Sequence, residues 1–180
     1  MRIGVLDIQG DVSEHVNILS SLGADPVRIR KSPDLENVDG LILPGGESTV
    51  IGKVMKERGL VELIMKKKLP VMGTCAGLIL MSENVDGGKG LLPLLDIEVK
   101  RNGYGSQRES FETDLNIEGI GQFHGVFIRA PIIVKVKKGR VLSQYENSPI
   151  IVSEGKHLGM TFHPEIFGDG RIHRMFIDSI

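Results

Sequence analysis

The stretch Pro70-Val71-Met72-Gly73-Thr74-Cys75-Ala76-Gly77-Leu78-Ile79-Leu80-Met81 decides how this chain is read. A short apolar run leads in, a cysteine stands between two spaced glycines, and a second apolar run leads out. Gly-x-Cys-x-Gly is the thiol form of the nucleophile elbow, a sharp strand-to-helix turn that lifts a reactive side chain above a sheet. Such a turn crowds backbone against backbone, so a Cβ at either flank would clash. It also sets Cys75 at a helix N-terminus, where free N–H groups and the helix dipole favour an anion.

Working outward, the first two-thirds of the chain alternate strand and helix patterns. Ile3 to Ile8 reads as a buried strand, followed by a turn at Gln9-Gly10-Asp11. Val12, Val16, Leu19 and Leu22 form a helical stripe, with Asp11 and Glu14 placed as cap and box partner and Gly23 as the stop. Pro26 to Arg30 and Gly40 to Leu43 predict two more strands. Ser48 is placed as the cap of a helix to about Arg58, which continues or restarts at Leu60 to Lys67. Val71 to Thr74 leads into the elbow, whose helix is expected to run to about Ser82. Repeated strand–helix–strand units imply a parallel sheet covered on both faces.

From Gly90 the pattern changes. Leu95 to Lys100 alternates apolar and polar, as a strand with one wet face should. Gly121 to Arg129, Ile132 to Val136, Val141 to Tyr145, Ile150 to Ser153 and Leu158 to Phe162 predict further strands, the last four read as antiparallel and hairpin-linked. Arg171 to Ile180 predicts a closing helix. The expected fold is α/β: a flavodoxin-like open, mostly parallel sheet flanked by helices, with an antiparallel extension in the C-terminal half. Residues 1–180 are expected to form a single domain.

The 180 residues are 41% hydrophobic and 25% charged, with a formal net charge of −1. That balance gives no reason to expect nucleic acid or an anionic membrane as partner. One cysteine excludes an internal disulfide and a cysteine-rich zinc site, and it suits a reducing compartment. No apolar run approaches the length of a membrane span. The N-terminus runs straight into a strand pattern, so a cytoplasmic location is expected, with no metal and no cofactor.

In an open α/β sheet the reactive site lies beyond the carboxyl ends of the strands. Gln9-Gly10-Asp11, Pro44-Gly45-Gly46-Glu47-Ser48 and the Cys75 elbow all end strands, and His163-Pro164-Glu165 follows the last one. A cysteine nucleophile needs a base within reach and a group to orient that base. His163 and Glu165, two apart on an extended segment stiffened by Pro164, point the same way. Attack on an amide creates an oxyanion, which needs fixed N–H donors. The glycines before Glu47 can turn a peptide N–H into the pocket, so Gly46 is one candidate donor and Ala76, just after the nucleophile, the other. The remaining histidines (His15, His124, His157 and His173) lack such a pattern and are read as structural or surface residues.

Gly73-Thr74-Cys75-Ala76-Gly77 together with His163-Pro164-Glu165 resembles the class I (triad) glutamine amidotransferases. The opening Ile3-Gly4-Val5-Leu6-Asp7-Ile8-Gln9-Gly10-Asp11 with Glu14-His15 narrows the resemblance to the glutaminase subunits of pyridoxal 5′-phosphate synthases. So do Leu43-Pro44-Gly45-Gly46-Glu47-Ser48-Thr49, Arg101-Asn102-x-x-Gly105-x-Gln107, Ser110-Phe111 and Phe127-Ile128-Arg129-Ala130-Pro131. Ser106, where an arginine is usual, and Ile166, where leucine is usual, depart from the pattern.

The resemblance implies hydrolysis of L-glutamine to glutamate and ammonia, with the ammonia passed to a separate synthase subunit that makes the vitamin B6 coenzyme. It implies Cys75 as nucleophile, His163 as base and Glu165 as its orienter. Gly46, Glu47 and Ser48 would bind glutamine, Arg101 would hold its α-carboxylate region, and Ile128 and Arg129 would close the pocket. From the residues alone, Arg101 and Arg129 suit a carboxylate and Glu47 an ammonium. Two other readings stay open here: the glutaminase subunit of a different class I amidotransferase pathway, and a glutamine-sensing subunit without chemistry.

Overall fold

A computed structural model describes residues 1–103 and 110–180. Strands β1 (Arg2–Leu6), β2 (Asp25–Ile29), β3 (Gly40–Leu43) and β4 (Val71–Thr74) are linked by helices α1 (Val12–Ser21), α2 (Ser48–Glu57) and α3 (Leu60–Lys67). Helix α4 (Ala76–Met81) follows the elbow. Then come β5 (Ser82–Val85), β6 (Gly88–Lys89), β7 (Leu95–Lys100), β8 (Ser110–Ile117) and β9 (Gly121–Ile128). The chain ends with β10 (Ile132–Val136), β11 (Arg140–Tyr145), β12 (Ser148–Glu154), β13 (His157–Met160) and helix α5 (Arg171–Asp178).

The main sheet has seven strands in the order β11-β12-β13-β4-β3-β1-β2. From β2 to β13 every neighbouring pair is parallel, and β12 and β11 add an antiparallel edge. Side-chain alternation divides the core between the two faces of this sheet. In β3, Leu41 and Leu43 join the cluster that holds Ile51, Leu60 and Leu78, while Ile42 joins the opposite cluster with Leu19, Phe162 and Phe176. All three are fully buried, and each stabilises the fold by roughly 1.5–3 kcal/mol. The aliphatic run of β3 thus supplies both faces, as a central parallel strand must.

Two expectations are corrected. The late strands do not form one hairpin-linked antiparallel set. β10 pairs antiparallel with β7 in a separate four-stranded sheet, and β13 pairs parallel with β4. Leu158, Gly159 and Met160 are buried. A strand so apolar belongs beside the central strands, not at an edge. The second correction is β8, which the sequence reading did not assign. It forms a two-stranded hairpin with β9 over eight paired positions. The expected motif positions Gly105, Ser106 and Gln107 lie outside the described residues.

The elbow glycines are explained by close approach. A Cβ on Gly77 would collide with the Leu43 carbonyl of β3, and one on Gly73 would collide with Met81 and the Gly77 backbone. Gly77→Ala is therefore expected to destabilise the protein by about 1–3 kcal/mol, lowering Tm by several degrees. At Gly88 the nearest atom to an added Cβ would be 3.5 Å away, so Gly88→Ala should leave Tm nearly unchanged. Equal melting of the two variants would contradict this account of the elbow.

Candidate active site

Cys75 sits between β4 and α4 with φ 49° and ψ −102°, a conformation that side chains other than glycine rarely adopt. Such backbone costs on the order of 1–3 kcal/mol and persists where its surroundings fix it. Here the Cys75 N–H donates to the Met160 carbonyl of β13 (2.9 Å), and the Ile79 N–H donates to the Cys75 carbonyl (3.2 Å). Adjacent strand and following helix together hold the turn. The thiol points to the Ile128 carbonyl at 3.7 Å.

The histidine comes from the far end of β13. Its backbone is clamped to the β8–β9 hairpin, with the His163 N–H donating to the Val126 carbonyl (2.8 Å). The imidazole Nδ1 is 2.7 Å from Glu165 Oε1, and both side chains are buried. The imidazole and the Cys75 thiol border the same cleft. A Cβ on Gly45 would strike the imidazole, so the loop after β3 packs directly against it. The structure thus brings together Cys75, His163 and Glu165.

The electrostatics suit proton transfer. Burial alone would push the His163 pKa down. The hydrogen bonds to Cys75 and Glu165, with their charges, outweigh it and raise the pKa to about 10. The imidazole therefore rests protonated near neutral pH, ready to act first as an acid.

The Pro44–Ser48 loop corrects one detail. Glu47, not Ser48, caps α2: its carboxylate accepts from the Thr49 N–H (3.0 Å) and the Val50 N–H (2.9 Å). Those two hydrogen bonds, with a smaller contribution from the Arg101 charge, hold its pKa below the usual value. The Glu47 N–H itself donates to Gln9 Oε1 (3.1 Å). Gly46 has φ 130°, open to glycine and strained for any other residue. Asp11 likewise makes no side-chain cap for α1; its carboxylate lies 3.7 Å from His163 Nδ1.

A cleft of about 490 Å³ opens here, lined by Gly46, Glu47 and Ser48 on one side and by Arg101, Ile128 and Arg129 on the other, with Cys75 and His163 between. Every residue expected to bind substrate borders it. Ala76, the second expected oxyanion donor, is buried at the start of α4 directly behind the thiol. The Arg101 guanidinium is 3.7 Å from Asp86, and its backbone N–H donates to the same carboxylate (3.0 Å). Asp11, His163 and Glu165 also present three ligand-type atoms within 4.8 Å of one another, two of them already joined by the 2.7 Å hydrogen bond.

Sequence reasoning missed two residues behind the triad. His15 of α1 and His173 of α5 are fully buried, with His15 Nδ1 2.8 Å from His173 Nε2. His15 Nε2 lies 3.6 Å from Glu165 Oε2. Burial, then the neighbouring imidazoles of His173 and His163, holds the His15 pKa well below 6.5. Burial lowers His173 to about 4. His15 falls in the quoted Glu14-His15 pair, and its place on the buried stripe of α1, three residues after Val12, was the available signal.

These shifts fix how stability follows pH. The raised His163 pKa gives stability that is complete below about 6.5 and lost as pH rises through about 10. The depressed His15 and His173 pKa values act oppositely. Below about 6.5 the unfolded chain takes up protons the fold refuses, so stability falls toward pH 4. Thermal melting against pH is expected to peak near the middle of the range, and His173→Gln should flatten the limb between about pH 6.5 and 4.5. An unaltered acid limb in that variant would contradict the assignment.

A family model described as the SNO glutamine amidotransferase family matches residues 5–180. The chain belongs to this family. Among its relatives, the pyridoxal 5′-phosphate synthase subunit PdxT of Thermoplasma acidophilum is 47% identical, the alignment covering 100% of this chain and 93% of that protein. PdxT of Oenococcus oeni is 48% identical over 98% of this chain and 95% of its own. A crystal structure of a glutamine amidotransferase superposes with a TM-score of 0.94 at 43% identity, covering 98% of this chain and 97% of that one. The structure of PurLQS from Thermotoga maritima, at 18% identity and a TM-score of 0.73 over 99% of this chain and 96% of that one, shares the fold. The family read from the elbow and the His-Pro-Glu segment is thus the family found.

Proposed function

We propose that this chain is the glutaminase subunit of a pyridoxal 5′-phosphate synthase, hydrolysing L-glutamine to L-glutamate and delivering ammonia to a separate synthase subunit. The observation that carries the reading is the His163 imidazole, which shares one cleft with Cys75 and lies 2.7 Å from the buried Glu165 carboxylate. Full-length identity of 47% to a protein named as that synthase's PdxT subunit supports the pathway.

In this mechanism the Cys75 thiolate attacks the side-chain amide carbon of glutamine. The oxyanion that forms is held by the N–H groups of Gly46 and Ala76. The His163 imidazolium gives its Nε2 proton to the departing nitrogen, ammonia leaves, and a glutamyl thioester remains. The now neutral imidazole takes a proton from water, hydroxide adds to the thioester, and collapse releases glutamate and the thiolate. Glu165 keeps the other imidazole nitrogen protonated throughout. Gly46, Glu47 and Ser48 line one wall of the glutamine pocket, Arg101 pairs with the substrate's α-carboxylate, and Ile128 and Arg129 close over it.

Residues 1–180 act as a single glutaminase domain. In this reading the ammonia-acceptor site belongs to the synthase subunit. The single reactive thiol suits a reducing compartment and so supports a cytoplasmic location. Among the described residues no helix is long and apolar enough to cross a membrane. The test is glutamine turnover with and without the synthase subunit. A low rate alone that rises on adding the partner supports the proposal. A full rate in isolation, unchanged by the partner, contradicts it.

A further inference from the structure

The carboxylate that orients His163 is itself left half-satisfied. Glu165 Oε1 receives the His163 Nδ1 proton, but Oε2 is buried and has no hydrogen bond among the described residues. A buried carboxylate oxygen without a donor is costly. The group that faces it is His15 Nε2, 3.6 Å away and equally buried and unbonded. His15 Nδ1 in turn meets His173 Nε2 at 2.8 Å. Beyond His173 lies the carboxylate of Asp169, which acts on His173 electrostatically and is itself held by Arg171.

Proton counting leaves one arrangement that gives the Glu165 carboxylate a second donor. One of the two imidazoles must donate across the 2.8 Å contact. If His15 Nδ1 donated, a neutral His15 would turn the Nε2 lone pair onto the Glu165 carboxylate, acceptor against acceptor. If His173 Nε2–H donates, His15 Nδ1 accepts and His15 Nε2–H is aimed at Glu165 Oε2. Only the second order gives the carboxylate a second donor without placing another charge in the core.

We propose that His15 is a positioning residue for the glutaminase reaction: as its Nε2–H tautomer, fixed by His173, it braces the second oxygen of Glu165 and so holds His163 in line with Cys75. The inference rests on the glutaminase reading of the site. At 3.6 Å the His15–Glu165 contact is longer than a hydrogen bond, so the bracing acts here as a charge–dipole contact that a shift of under about 1 Å would turn into a hydrogen bond. Burial keeps both outer imidazoles neutral, so the row transmits orientation and not a net proton.

The tautomer can be read directly on the full chain labelled with nitrogen-15 histidine at neutral pH. The expected two-bond proton–nitrogen pattern for His15 has Nε2 protonated and Nδ1 bare, its signals assigned by their loss in His15→Gln. An Nδ1-protonated His15 overturns the proposal. Kinetics with the synthase partner present supply the second readout. His15→Leu should lower kcat by about 10–100-fold, the scale seen when an outer partner of an oriented histidine is removed, with KM changed less than about twofold. His15→Gln, which keeps a side-chain N–H, should recover most of that loss. Equal activity of the two variants, whether both full or both low, overturns the proposal, because bracing by a donor predicts that they differ. If the leucine variant does not fold, the wild-type tautomer still decides. The spectrum needs no substrate. The glutaminase reading fails separately, if wild type turns over no glutamine with its partner present.

Discussion

Cys75→Ala is expected to abolish glutamine hydrolysis, with kcat reduced by at least about 10⁴-fold and the fold intact. The reason is chemical: no other thiol exists in the sequence, and the attacking atom is gone. Cys75 is 7% exposed and its backbone conformation is set by β4, β13 and α4. Removing one sulfur should therefore cost little structure. Cys75→Ser keeps the shape but offers a hydroxyl, which the imidazolium facing it does not activate, and it is expected to be nearly as inactive. The measurement is ammonia or glutamate release by the complex, with melting temperature as the control. Retained turnover in the alanine variant would remove Cys75 from the mechanism.

The second large effect is expected at Glu165. Glu165→Gln keeps the volume of a buried side chain but replaces a carboxylate with a group that can turn an N–H toward His163 Nδ1. The imidazole then carries its proton on Nε2 and offers no lone pair to the thiol, the wrong tautomer for a base. The positive charge of the imidazolium also loses its partner at 2.7 Å. In a related triad geometry this exchange costs about 10⁴-fold in kcat. A loss of about 10²–10⁴-fold is expected here, with KM changed far less. The sign of the pH effect follows too. Glu165 is one of the groups raising the His163 pKa to about 10, so its loss must lower that pKa. The alkaline limb of the pH–rate profile that reports the imidazolium should move to lower pH. An unchanged limb, or a loss seen wholly in KM, would contradict the role given to Glu165.

How far the sequence reveals this site differs from element to element. The elbow was legible because a steric requirement leaves a local trace: two glycines at fixed offsets from a cysteine, between apolar runs. The His163-Pro164-Glu165 segment was legible because orientation and residue type fall within three positions. Strand β3 was legible because burial on both faces demands a continuous aliphatic run. Pairing was not. Whether β13 lies beside β4 or beside a hairpin partner depends on what else can fill that slot, and nothing within His157–Met160 states it. β8 carries the alternation of a strand with one wet face, but its inner positions Phe111 and Thr113 are only partly buried and Thr113 is polar, so the apolar stripe is too weak to mark the strand. The helix caps failed for another reason. Ser48 and Asp11 are good capping types, yet Glu47 reaches the free N–H groups of α2 and Asp11 turns toward His163. His15 and His173 lie 158 residues apart, and only the packing of α1 against α5 makes them a pair.

The central claim is that one thiolate, served by an imidazole distant in sequence, cleaves the side-chain amide of glutamine. Mass spectrometry of the chain and its synthase partner, quenched in acid during turnover of glutamine, tests it most directly. The account predicts a covalent glutamyl group on the peptide that contains Cys75, present in the wild type and absent from Cys75→Ala. Sustained ammonia release with that peptide unmodified at every time point, or the adduct on another residue, would contradict it.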